Sequence, residues 1–210
     1  MKKLAVSLIA FIAVALSVSA AEISEQTKAL LTKIENANKS VNTISSPVTE
    51  TKTMPNGKEF VSNGNFYFSS PNMLAIRYTK PEGDYLIINT KEITQKKKGG
   101  KSFKFSLEKN ETMKTLSSTL LWCISGQILK LAETNNAAVK SSEAGGMIHV
   151  VLTAEVKGAR GFKKIELCYD KATMRTKSMA LTDKSNIVTK YTLDKPQYNS
   201  QIEASVFVIK

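Results

Sequence analysis

Apolar residues recur along this 210-residue chain with two different periods, and the switches between them mark its elements. Ser24 can cap a helix that opens with Glu25, with Ile23 as a hydrophobic partner just before the cap. Thr27, Leu30, Leu31 and Ile34 follow at helical spacing, and Lys33 and Lys39 suit a helix that ends near Lys39. From Val41 the period falls to two. Pro55-Asn56-Gly57 is a turn between extended arms at Val48–Met54 and Lys58–Phe68. Ser69-Ser70-Pro71-Asn72, Lys80-Pro81-Glu82-Gly83 and Asn89-Thr90 punctuate further strands at Met73–Thr79 and Tyr85–Ile88.

A second helix is predicted from Asn110, with Met113, Leu116, Leu120 and Ile124 as one stripe and Gly126 at its end or at a kink. The two-residue period then returns. Strands are expected at Ala137–Ser141, Met147–Ala154, Phe162–Tyr169, Arg175–Thr182, Asn186–Leu193 and Val206–Ile209. Strands and turns spaced at about ten residues argue an antiparallel sheet curling toward a barrel. Two helices cannot supply the crossovers that a parallel sheet of this size requires. The pattern shows no internal repeat and no linker, so residues 21–210 read as a single domain.

The N-terminus carries a different signal. Lys2 and Lys3 precede an apolar run from Leu4 to Val18, and Val18-Ser19-Ala20 offers small residues for cleavage after Ala20. That order is expected of a secretory signal peptide over residues 1–20, which implies an exported, periplasmic chain. Removing Lys2 and Lys3 leaves 28 basic against 18 acidic residues, a net charge of +10. Cys123 and Cys168 are the only thiols. An oxidising compartment permits a bridge between them, but their spacing does not require one.

Few enzyme chemistries remain open. One His and two Cys are too few for a His/Cys metal cage, and no nucleophile-elbow, phosphate-loop or dinucleotide motif occurs. His149 shares its strand face with Met147 and Val151 and reads as structural or exposed. No catalytic residue, metal or cofactor is expected.

The sheet poses the more informative question. Phe66, Phe68, Leu74, Ile76 and Tyr78 share one parity over two neighbouring strands, while Asn65, Ser69, Ala75 and Arg77 share the other. Only two helices are available to cover the apolar side. At about 100° per residue Trp122 lies about 180° from Met113, so the second helix is apolar on more than one face. Such a helix is either fully buried or a lid over an apolar cavity.

The segment from Gly64 through Asn65-Phe66-Tyr67-Phe68-Ser69-Ser70-Pro71-Asn72 to Tyr78 and Pro81 resembles the signature region of LolA-type outer-membrane lipoprotein carriers. Element order agrees, down to a final Phe-containing stretch at Val206-Phe207-Val208. The resemblance implies an incomplete antiparallel barrel, a half-barrel, with an α-helical lid over an apolar cavity. Its implied function is a periplasmic carrier that shields acyl chains of lipoproteins between the inner and outer membranes. The implied partners are acylated lipoproteins, an inner-membrane lipoprotein-releasing transporter and an outer-membrane acceptor. Acyl chains would meet Phe66, Phe68, Leu74, Ile76 and Tyr78. The lid would use Leu30, Leu31, Ile34, Met113, Leu116, Leu120 and Trp122. One position departs from the family: an Arg there contacts the closed lid, and this chain has Ser70, whose hydroxyl offers one donor against five.

Lys96-Lys97-Lys98-Gly99-Gly100-Lys101 forms a cationic tip that suits transient contact between its four lysines and an anionic membrane surface. Nothing in the sequence resembles an aromatic-interleaved nucleic-acid motif, and the chain reads as a monomer. The alternative function is a periplasmic protein that binds or senses a lipid or apolar small molecule on the same scaffold.

Overall fold

The computed structural model describes residues 23–97, 100–154 and 161–209. The expected leader at 1–20, Lys98 of the basic tip and most of the 157–161 separator lie outside the described residues. Helix α1 (Glu25–Asn38) begins where its cap allows: Ser24 Oγ accepts the Thr27 N–H at 3.3 Å, and Glu25 stands in the first turn. Strands β1 (Thr43–Thr53) and β2 (Glu59–Ser69) form a long hairpin around Pro55-Asn56-Gly57. The meander continues through β3 (Met73–Lys80), β4 (Glu82–Ile88), β5 (Glu92–Lys96) and β6 (Ser102–Ser106). Helices α2 (Glu111–Ser125) and α3 (Ile128–Thr134) interrupt it. Asn110 caps α2 through the Met113 N–H at 3.1 Å, and Gly126 ends it at φ 74°, in the left-handed region.

The second half of the sheet is β7 (Ala138–Ala144), β8 (Met147–Thr153), β9 (Phe162–Asp170), β10 (Thr176–Asp183) and β11 (Val188–Leu193), with the short β12 (Gln197–Tyr198). All described pairings are antiparallel, in the order β6-β5-β4-β3-β2-β1-β11-β10-β9-β8-β7, with β12 also on β1. Strands β6 and β7 stay unjoined, so the sheet is an open half-barrel. Its concave face is filled by the apolar sides of the three helices.

Three differences from the sequence pattern have physical reasons. Strand β1 starts at Thr43 and runs through Pro47, which the two-residue reading left out of the arm. Pro47 falls in the gap between the β12 and β11 pairings, where a missing N–H is harmless, and its carbonyl accepts from Asp194 N at 3.0 Å. Strands β5 and β6 and helix α3 were not foreseen. They are five, five and seven residues long, too short and lysine-rich or too brief to display a period. The strand expected at Val206–Ile209 is instead a 3₁₀ turn over Ala204–Phe207. Phe207 is its one buried side chain, packing on Ala75 and Ile87 against the convex side of the sheet.

Both cysteines are free. Cys168 alternates with the inward-facing Leu167 and Tyr169, so it lies on the convex face, whereas Cys123 is on the buried side of α2, against the concave face. The sheet separates them.

Candidate functional site

Register brings the expected apolar set together. Phe66 stands opposite Ile76, and Ile76 opposite Leu86; Phe68 stands opposite Leu74, and Leu74 opposite Ile88. Phe66, Leu74 and Ile76 are fully buried, as nearly are Phe68 and Tyr78. They join Leu31 and Ile34 of α1, Leu120, Cys123 and Ile124 of α2, and Ile128 and Leu131 of α3 in one cluster. Leu30, Met113, Leu116 and Trp122 are partly buried at its margin, with Lys130 Nζ 4.9 Å from the Trp122 ring centroid. Every expected lid residue therefore packs on the same concave surface.

The helices differ in how they are tied down. The Asn38 amide of α1 donates to the Met174 carbonyl at 2.9 Å, and Arg175 donates to the Ala37 carbonyl at 2.7 Å. Thr27 and Ser141 hydroxyls meet at 3.1 Å. Helix α2 has far less. Among the described residues its hydrogen bond to the sheet is Tyr169 Oη to the Cys123 carbonyl, at 3.4 Å. Ser70 is exposed, and its hydroxyl makes no hydrogen bond to α2 or α3 among the described residues; its N–H donates to the Asn42 carbonyl at 2.8 Å. Packing, not a polar latch at position 70, holds this cover.

Beyond Tyr78 the inward-facing columns leave the helices behind and end in a pocket of about 380 Å³. Glu50 continues the column of Ile44, Ser46 and Val48, and Asp84 that of Leu86 and Ile88. Both carboxylates are buried, at 4% and 5% exposure. The Tyr78 hydroxyl donates to Glu50, the Tyr191 hydroxyl stands close to the same carboxylate, and Lys97 Nζ lies 3.3 Å from Glu50 Oε1. Burial, with the nearby Glu50 charge, pushes both tyrosine hydroxyls well above their ordinary range. Met54, Phe60, Val61 and Pro81 supply apolar walls. The sequence reading missed Glu50, Asp84 and Tyr191. A signal was available: an acidic residue at the core parity of a strand breaks the alternation and asks for a partner.

On the convex face Arg77 proves structural. Its guanidinium donates to the carbonyls of Ser205, Val206 and Val208 at 2.6–3.1 Å and clamps the C-terminal turn. His149 is exposed. Lys96 is half-buried, Lys101 exposed, and Lys97 turns inward to Glu50. Among the described residues no group of three or more His, Cys, Asp or Glu side chains is placed to hold a metal, and no helix is long and apolar enough to cross a membrane.

Solved structures share this architecture at low identity. An uncharacterized conserved protein from Thermus thermophilus is 12% identical, with a TM-score of 0.51 over 88% of this chain and 95% of that one. A LolA superfamily protein from Nitrosomonas europaea is 8% identical, with a TM-score of 0.44 over 87% and 97%. The Mycobacterium tuberculosis lipoprotein LppX is 10% identical, with a TM-score of 0.44 over 86% and 99%. No curated protein matches in sequence. Residues 39–210, from the end of α1 onward, match the family described as outer membrane lipoprotein carrier protein LolA. With that match spanning the half-barrel, α2 and α3, the chain belongs to the LolA family.

Proposed function

We propose that the chain is a periplasmic carrier that shields the acyl chains of lipoproteins on its concave face and ferries them between the two membranes. The observation that carries this reading is the cover: an apolar sheet face closed by helices α2 and α3, which packing holds in place. Phe66, Phe68, Leu74, Ile76 and Tyr78 would meet acyl chains once those helices move aside. Each acyl CH₂ taken from water is worth roughly 0.8 kcal/mol, so a diacyl or triacyl protein does not cross the aqueous space unshielded.

Release requires that affinity stay modest. Uncovering Leu120, Cys123, Ile124, Ile128 and Leu131 costs on the order of 10 kcal/mol, at roughly 1.5–3 kcal/mol for each fully buried side chain. Acyl chains take the place of those side chains, and only the difference appears as binding. The leader at 1–20 would deliver the chain to the periplasm. An inner-membrane transporter and an outer-membrane acceptor would load and unload it.

The test is incubation of the chain from Ala21 onward with inner-membrane vesicles that hold acylated lipoproteins. Lipoprotein should appear in the soluble fraction as a complex with the chain. Lipoprotein that stays in the membrane under all loading conditions would overturn the reading.

A further inference from the structure

The pocket beyond Tyr78 combines features that neither a core nor a solvated rim needs. Its walls are Met54, Phe60, Val61 and Pro81, and its floor carries Glu50 and Asp84, both almost fully buried. A primary ammonium is already seated there: Nζ of Lys97, the residue after β5, rests on Glu50 Oε1. The two partners differ sharply in exposure, 49% for the Lys97 side chain and 5% for Glu50. A buried carboxylate needs a cation continuously, whereas a half-exposed lysine gains little from one particular site. The arrangement favours exchange of one ammonium for another.

The pocket also lies in line with the concave face, because Glu50, Tyr78 and Asp84 occupy the same inward columns as Val48, Ile76 and Leu86. An ammonium joined to acyl chains that lie along that face would reach Glu50 intramolecularly. Its effective concentration there would far exceed that of a free amine.

We infer that this pocket is a recognition site for a diacylated lipid whose polar end bears a primary ammonium, which displaces Lys97 from Glu50. The inference rests on the carrier reading, since the acyl chains are what bring the amine to the pocket. Two sources carry this chemistry: an aminophospholipid, and a diacylglyceryl-cysteine whose α-amino group is free.

Binding of acyl-labelled probes to the chain from Ala21 onward tests it. Phosphatidylethanolamine is compared with phosphatidylglycerol of the same chains. A diacylglyceryl-cysteinyl peptide is compared with its N-acetylated form. At least one amine-bearing probe should bind about tenfold tighter than its amine-free counterpart, and which pair discriminates identifies the source. Glu50→Gln should abolish that preference and leave phosphatidylglycerol affinity unchanged. Lys97→Met, which removes the internal competitor without touching the buried group, should instead tighten amine binding severalfold. Equal binding of all four probes by the unmodified chain, or a preference that survives Glu50→Gln in a folded variant, would overturn the amine site alone. Binding of none of them would overturn the carrier reading together with it.

Discussion

A methyl group at position 64 would lie 2.3 Å from the Arg77 carbonyl oxygen and 2.8 Å from the Tyr78 Cα, backbone atoms that cannot yield. The glycine that opens the signature segment lies in the middle of β2 rather than at a strand start, and is a packing requirement there, set where β2 and β3 shift register between Asn63 and Gly64. Gly64→Ala should lower Tm sharply, or leave the chain insoluble, while Gly57→Ala, at a hairpin tip with open space around it but φ of 81°, should cost only the left-handed backbone strain of about 1–2 kcal/mol. Comparable thermal melts for the two would remove the argument. Arg77 makes an opposite case, a residue whose role lies on the other face. Arg77→Ala should free the C-terminal turn, seen as faster proteolysis near residues 204–209, without changing acyl-probe affinity. Tyr78 and Tyr191, both buried near Glu50, set an alkaline limit. Their hydroxyls stay protonated in the fold to a higher pH than in the unfolded chain, where they titrate near a pKa of about 10. The folded chain then binds more protons, so stability is fully present below that pH and falls above it. Thermal melts across that range should show the decline, with a shallower slope for Tyr191→Phe.

At the scale of elements, the proposed function requires α2 and acyl chains to compete for the same face of the sheet. Leu120 is fully buried against the sheet, so Leu120→Ala should destabilise the chain by about 2–5 kcal/mol. In an ordinary core that loss would weaken every function together. Here the same change lowers the cost of moving the cover, so Leu120→Ala should melt earlier yet bind acyl probes more tightly. A variant weakened in both respects would mark α2 as plain core. Helix α2 was legible in the sequence because its cap at Asn110, its stripe and its stop at Gly126 all agree. Strands β5 and β6 were not, because five residues are too few to display alternation, and β6, at the edge of the sheet, is exposed over most of its length. The final turn was misread for a related reason: Val206 and Phe207 look like strand alternation, but one buried phenylalanine suffices to dock a tail. The apolar parity of β2 and β3 was plain from the sequence, whereas local pattern marks only Glu50 itself, an acid at core parity; which groups meet it depends on how β1, β3, β11 and the segment after β5 converge.

The whole molecule is a half-barrel with one face greased and covered, the other carrying the clamped tail, and a charged pocket where the covered face runs out. In the proposed function, acyl chains and the helical cover occupy the same surface in turn. Backbone hydrogen exchange of the chain, alone and with a bound diacyl probe, measures this directly. Amides of α2 and α3 should lose protection when the probe binds, while those of β2 and β3 keep theirs. Unchanged or increased protection across both helices at saturating probe would contradict the claim.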